Sequence, residues 1–282
     1  MGTLHPACLI FWIFAADFQG RQAPETCAVA STMRALLISD IHANIDALEA
    51  VLDAAPKHDV VWNLGDVVGY GAAPNEVIER VRDLGTTFVR GNHDRACSGQ
   101  LSLEDFNPVA SRAARWTQQV LTPEHIDWLH HMARGPITPD GPQVSCMHGS
   151  YLDEDEYLLS VRDARLPLKQ AETRINFFGH THLQGGFATD GEEWFQLDPV
   201  YSSDDEPDES ELVLAPGARY LINPGSVGQP RDNDRRAAYA LFDDERMVVE
   251  FRRVPYDFRL AQMRIMRAGL PDQLAMRLSF GR

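Results

Sequence analysis

The chain has 282 residues, 44% hydrophobic and 24% charged, the proportions of an ordinary globular protein with room for one large domain or two small ones. A formal net charge of −15 argues against a nucleic-acid-binding protein, and no apolar stretch is long enough for a transmembrane helix. The four cysteines, Cys8, Cys27, Cys97 and Cys146, form no CxxC pair and no disulfide-like spacing, which points to a reducing, cytoplasmic compartment.

The apolar segment Cys8 to Ala16 has the length of the core of an export signal, but no Lys or Arg precedes it. Residues 1–32 are therefore expected to be a non-native or disordered extension from a misplaced start, with a weak export signal as the alternative. One domain is expected over residues 33–282. Its first apolar run, Leu36-Leu37-Ile38-Ser39, ends in Asp40-Ile41-His42. Ile45, Leu48, Val51, Leu52 and Ala55 then recur at helical spacing behind the cap Asn44. Val60 to Leu64 runs into Gly65-Asp66, and a second helix carries Val77, Ile78, Val81 and Leu84. Thr86 to Val89 leads through Arg90-Gly91 to Asn92-His93-Asp94. This opening reads as β-α-β-α-β, a parallel layer.

Val109, Ala113, Trp116 and Val120 mark another helix, and Thr122-Pro123 starts the next. From Gln143 onward the pattern is β-rich. Val144 to Met147 ends in His148-Gly149, and Ile175 to Phe178 ends in Gly179-His180-Thr181-His182. Asp190-Gly191 predicts a hairpin turn, three further strands follow, and a helix from about Asp257 to Ala268 closes at Gly269. The fold class is α/β, a two-sheet sandwich flanked by helices. The tail from Val254 to Arg282 is read as able to cap the site or to pair with a second subunit; nothing specifies an oligomeric state.

Much of the charge is local. Asp153 to Glu156 holds four carboxylates and Asp204 to Glu211 six more, and without these ten the balance is −5. Both clusters read as solvated loops.

Five apolar runs thus end in metal-type ligands, where an open α/β sheet places its ligand site. Residues two apart in extended geometry point the same way, so Asp40 and His42 are expected to face one metal, and His180 and His182 repeat the arrangement. Asp66 and Asn92 add oxygen ligands and His148 a nitrogen. A carboxylate, amide and imidazole set without thiolate suits Mn, Fe or Zn better than Ca or Mg. Seven ligands exceed the needs of one ion, and Asp66 is the natural bridge between two. His5, His58, His125, His130 and His131 lie in the leader or at helical positions and read as surface or core residues.

In order and approximate spacing, Asp40-Ile41-His42, Gly65-Asp66, Gly91-Asn92-His93-Asp94, His148-Gly149 and Gly179-His180-Thr181-His182 resemble the calcineurin-like metallophosphoesterases. The branch most resembled is the small prokaryotic one related to diadenosine tetraphosphatases. Gly65 to Gly71 and Asn223-Pro224-Gly225-Ser226-Val227-Gly228 add to the similarity. The resemblance implies two divalent metals, manganese before iron or zinc: Asp40, His42 and His182 on the first, Asn92, His148 and His180 on the second, and Asp66 bridging. It implies in-line attack by a metal-bridging hydroxide, with His93 protonating the leaving group and Asp94 orienting His93. Ser226 and Arg231 are candidate substrate contacts, while Arg90 and Arg95 are explained as well by structural pairing.

The expected activity is hydrolysis of small phosphomonoesters or phosphodiesters, with nucleotide or dinucleoside polyphosphate hydrolysis and protein phosphatase activity as alternatives. A non-catalytic scaffold of the same fold would be expected to lack the catalytic histidine or several ligands. This chain has all of them.

Overall fold

The computed structural model describes residues 33–84, 87–139 and 143–282, so the expected extension over residues 1–32 lies outside the described residues. Along the chain run β1 (Arg34–Ile38), α1 (Ile45–Ala54), β2 (Val60–Asn63), α2 (Pro74–Leu84), β3 (Thr87–Phe88), α3 (Asn92–Cys97), α4 (Pro108–Val120) and α5 (Pro123–His130). Then come β4 (Val144–Cys146), α6 (Val161–Gln170), β5 (Ile175–Phe177), β6 (Gly185–Thr189), β7 (Trp194–Leu197), β8 (Asp208–Val213) and β9 (Arg219–Asn223). Strands β10 (Ala237–Asp243) and β11 (Val248–Val254) and helices α7 (Phe258–Arg267) and α8 (Asp272–Leu278) complete the order.

Two mixed sheets result, one in the order β3-β2-β1-β10-β11-β8 and one in the order β4-β5-β9-β6-β7. Within the first, β3, β2 and β1 are parallel; within the second, β4, β5 and β9 are. Leu37, Trp62, Phe177, Ile222 and Phe242 pack between the sheets, with the Trp62, Phe177 and Phe242 rings 5.5–6.2 Å apart. The outer face of the first sheet buries Leu36 and Ile38 against Leu48 and Val51 of α1 and Val77, Ile78 and Val81 of α2. Leu168 of α6 packs with Phe187 and Leu221 on the second sheet. This is the expected α/β sandwich flanked by helices. Truncating a core side chain as large as Trp62 would cost about 3–5 kcal/mol.

The caps follow the sequence signals. Asn44 Oδ1 accepts from Ala47 N at the start of α1, Thr122 Oγ1 from His125 N at α5, and Asp257 Oδ1 from Leu260 N at α7. Gly269, at φ 68°, ends α7 as expected.

Two expectations are corrected, and one helix was not expected. The segment Asp208 to Glu211 is not loop: it forms most of β8, pairing antiparallel with β11 so that Glu209 faces Arg252. Its acids alternate with half-buried residues and find partners, which lets a charged strand form at a sheet edge. Asp153 to Glu156 is not simply solvated either, as described below. Helix α6 was hidden because Pro167 sits inside it, although Ser160 Oγ caps Asp163 N and Ala164, Pro167 and Leu168 share the buried face.

Candidate metal centre

The loops leaving β1 and β2 run side by side. Asp40 N donates to Gly65 O, His42 N to Asp66 O and Ala43 N to Val67 O, at 2.9–3.0 Å. Asp40, His42, Asp66, His180 and His182 all have φ between 49° and 66°. The extended geometry expected for Asp40 and His42 is therefore wrong: the chain coils sharply at the strand end, and left-handed residues turn the side chains onto one rim. Each such residue that is not glycine or Asn/Asp costs roughly 1–2 kcal/mol, which the surrounding hydrogen bonds offset.

The rim gathers two ligand groups that share one carboxylate. Asp40, His42, Asp66 and His182 offer ligand atoms within 4.8 Å of one another, and so do Asp66, His148 and His180. All six residues are buried. Asn92 stands at the start of α3, with its Oδ1 buried and unpartnered.

Backbone carbonyls decide which imidazole nitrogens are free. A carbonyl only accepts, so a ring nitrogen facing one carries the proton. His42 Nδ1 donates to Val68 O (3.1 Å), His182 Nδ1 to Gln229 O (2.6 Å) and His148 Nδ1 to Leu64 O (2.8 Å), while His180 uses Nε2 on Asp155 O (3.1 Å). That leaves lone pairs on Nε2 of His42, His148 and His182 and on Nδ1 of His180, the second-shell pattern of metal-bound histidine. These atoms face acceptors. His42 Nε2 lies 3.1 Å from His182 Nε2, His182 Nε2 3.2 Å from Asp40 Oδ1, and His148 Nε2 3.4 Å from Asp66 Oδ2. Acceptors facing acceptors fit a cation between them.

The electrostatics agree. Burial raises the carboxyl of Asp66, but His148 and His93 outweigh it and hold it well below its ordinary range. Burial lowers His148, yet Asp66 outweighs it and holds the imidazole at about 10, so without a cation this ring keeps a second proton on Nε2, toward Asp66, which a metal would displace. Burial pushes His180 down to about 3 and His42 well below its usual value. The carboxylates stay charged and most of the imidazoles neutral, a field that attracts divalent cations.

His93 differs from the four. Its Nδ1 is buried without a partner, and its ring packs 4.3 Å from Tyr70, 4.9 Å from His42 and 5.2 Å from Phe106. Burial pushes it down to about 4. Only a residue without a side chain allows that approach, since a Cβ on Gly69 would lie 2.5 Å from His93 Nδ1. Gly91 is held likewise, its would-be Cβ 2.0 Å from Asp66 Oδ1.

Two expected roles are corrected. Asp94 does not orient His93: Oδ2 accepts from Asp66 N (2.8 Å) and Gly91 N (2.9 Å), and Oδ1 from Val68 N (3.2 Å). It therefore ties the Asp66 loop to the Asn92 loop. Burial, then the charge of Asp66, raise its carboxyl to about 7. Ser226 is fully buried and touches no cleft; its hydroxyl donates to Asp40 O (2.7 Å) and accepts from Gln229 N (2.8 Å), fixing two ligand loops together. Arg231 does reach the site, its backbone N donating to His182 O (3.2 Å).

Other contributors escaped the sequence. Tyr157 lies 3.8 Å from the His180 ring, and the acidic run before it is held by Arg90 and Arg134 on Glu154 and Arg95 on Glu154 and Asp155. Two arginines bracketing Gly91-Asn92-His93-Asp94 were the available signal that acids would come to meet them. The Tyr70 ring packs at a tilt against both His42 and His93.

A mixed sandwich whose strand ends converge on paired His/Asp groups defines a class of metal-dependent hydrolase. Residues 33–247 match the calcineurin-like phosphoesterase superfamily domain, and the chain belongs to that family. It is accordingly a metal-dependent phosphoester hydrolase, with buried His/Asp clusters that suit divalent metal. An uncharacterised protein of Methanocaldococcus jannaschii is 35% identical over 256 residues, covering 87% of this chain and 97% of its own. A metallophosphoesterase from Sphaerobacter thermophilus, known by crystal structure, is 41% identical with a TM-score of 0.77, covering 89% of this chain and 100% of its own. The symmetrical bis(5'-nucleosyl)-tetraphosphatase of Yersinia enterocolitica matches locally: 43% identity over 67 residues, 22% of this chain and 23% of that one.

Proposed function

We propose that the protein is a two-metal phosphoesterase acting on small phosphomonoesters or phosphodiesters, with manganese as the favoured metal and iron or zinc as alternatives. The observation that carries this reading is the bracing of four imidazoles on backbone carbonyls, which turns four lone pairs toward two groups sharing Asp66. Asp40, His42 and His182 would hold one ion, Asn92, His148 and His180 the other, with Asp66 common to both. Their mixed nitrogen and oxygen donors, without thiolate, suit the metals named. When bound, such a pair supplies hydroxide near neutral pH and neutralises phosphoryl oxygens.

The chain's own residues do the rest. His93, beside the ligand Asn92 and with Nδ1 unpartnered, would give the departing oxygen a proton from its imidazolium form, which a bound phosphoryl anion would favour against the burial that holds the free ring at about 4. Asp94 and Ser226 keep the ligand loops in register, and Tyr70 and Phe106 shield His93 from water. In-line displacement at phosphorus needs mainly this positioning and charge stabilisation. Buried, unpaired Cys97 and Cys146 support a reducing, cytoplasmic setting.

A second reading, cleavage of a nucleotide or dinucleoside polyphosphate, draws on the local similarity to the tetraphosphatases. The deciding test is Mn²⁺-dependent hydrolysis of bis(p-nitrophenyl) phosphate beside p-nitrophenyl phosphate. Turnover that requires metal is expected on at least one ester. Metal binding without turnover on either would favour the second reading, and absence of metal binding would sink both.

A further inference from the structure

Two arginines lie buried outside the ligand groups. Arg236 and Arg253 are 1% and 3% exposed, and their guanidinium groups stand 5.3 and 5.7 Å from the centroid of the Tyr201 ring. Burying a guanidinium is costly unless it is paired and hydrogen-bonded, so its partners are informative. Arg236 serves its own loop: it pairs with Asp234 and donates to Glu206 O (2.7 Å). Arg253, on β11, reaches two segments that carry the metal centre. Its Nε donates to Gln184 Oε1 (2.9 Å) and its Nη2 pairs with Asp232. Gln184 stands two residues past His182, and Asp232 directly follows Arg231.

Those two segments are bound to each other. His182 Nδ1 donates to Gln229 O (2.6 Å), Arg231 N to His182 O (3.2 Å) and Gln184 N to Asp232 Oδ2 (3.3 Å). Gln184 Nε2 faces the carbonyls of Pro224, Tyr239 and Arg252 at 3.0–3.2 Å. Carbonyls only accept, so the amide is fixed with Oε1 toward Arg253. The second oxygen of Asp232, Oδ1, is buried without a partner, and Arg253 is the cation that offsets this carboxylate. Without Arg253, Asp232 would turn toward water and draw the 229–232 segment away from His182.

We propose that Arg253 is a positioning residue for the first metal position, setting through Asp232 and Gln184 the carbonyl that fixes the His182 ring. This rests on the two-metal reading above and adds to it a residue that acts through two others. The same clamp holds the backbone of Arg231, so one buried charge keeps a ligand and a candidate substrate contact in register.

Nitrogen-15 NMR of the metal-free protein reads the clamp directly. Exchange of the His182 Nδ1 proton with solvent is expected to be at least about tenfold faster in Arg253→Gln, while that of His148 Nδ1, held on Leu64 O, keeps its rate. Equal acceleration of both protons would mean general loosening of the fold and would overturn the proposal, as would no change at His182. Arg253→Lys keeps a cation opposite Asp232 without the bond to Gln184, so it guards against a glutamine variant that does not fold. It is expected to show about a threefold effect at His182 alone, and no effect in the folded lysine variant would likewise overturn the proposal. Calorimetric titration with Mn²⁺ then reads the consequence: about tenfold weaker binding of one equivalent in Arg253→Gln and the other unmoved. Weakening of both to the same degree would refute the assignment to one position. If the unaltered protein takes up no Mn²⁺, the two-metal reading fails, and the exchange measurement still decides the role of Arg253.

Discussion

His42 and His182 rest on the carbonyls of Val68 and Gln229, in loops buried at the ends of the sheets. His180 instead rests on Asp155 and the ring of Tyr157, in a half-exposed segment held by Arg90, Arg95 and Arg134. The first ligand group is therefore as stable as the sandwich, whereas the second depends in part on ion pairs, which salt screens. If both ions bind as proposed, the contrast makes the two positions unequal: the one around Asp40 should keep its ion when the one around His180 has lost it.

The strongest way to break this comparison is to remove what both groups share. Asp66→Asn is expected to lower turnover on both nitrophenyl esters by more than about a thousandfold and to reduce bound metal, measured by emission spectrometry of the dialysed protein. His93→Asn, outside both groups, should keep the metal content while kcat falls by about 10²–10⁴. Loss of metal in that variant would make His93 a ligand and contradict its separate role. Glu154→Gln sharpens the contrast itself. It should weaken the second equivalent of metal about tenfold and leave the first unmoved, a difference that widens with added salt. Equal weakening of both equivalents would refute the inequality. The smallest effect is expected from Ser226→Ala, about 1–2 kcal/mol of stability in a urea titration, because Asp40 O and Gln229 N lose a buried partner.

Much of the centre was legible because each strand carrying a ligand stops at Gly, Asp or His, and those interruptions are local in sequence. Asp40, His42, Asp66, Asn92, His148, His180 and His182 stood out for that reason. What could not be read was support that comes through the backbone. The carbonyls of Leu64, Val68, Asp155 and Gln229 have no side-chain signature, and neither does the left-handed turn at His42 or His182. Asp94 and Ser226 were noticed for the right neighbourhood but given the wrong task, since sequence shows that a polar group is near a site and not which way it faces. Helix α6 hid behind Pro167, and β8 behind its own charge.

That charged strand has a consequence for how the molecule meets its own copies. Among the described residues β8 is the outer strand of the six-stranded sheet, and it carries the exposed Glu209 and Glu211, paired with Arg252 and Arg246. A sheet edge invites another chain to extend it by hydrogen bonding, the first step toward aggregation. Two such edges brought together would set glutamates against glutamates, with Asp204, Asp205 and Glu206 just before them in the chain. The acidic run thus works as a fence, allowing a long mixed sheet to end in water without recruiting its neighbour.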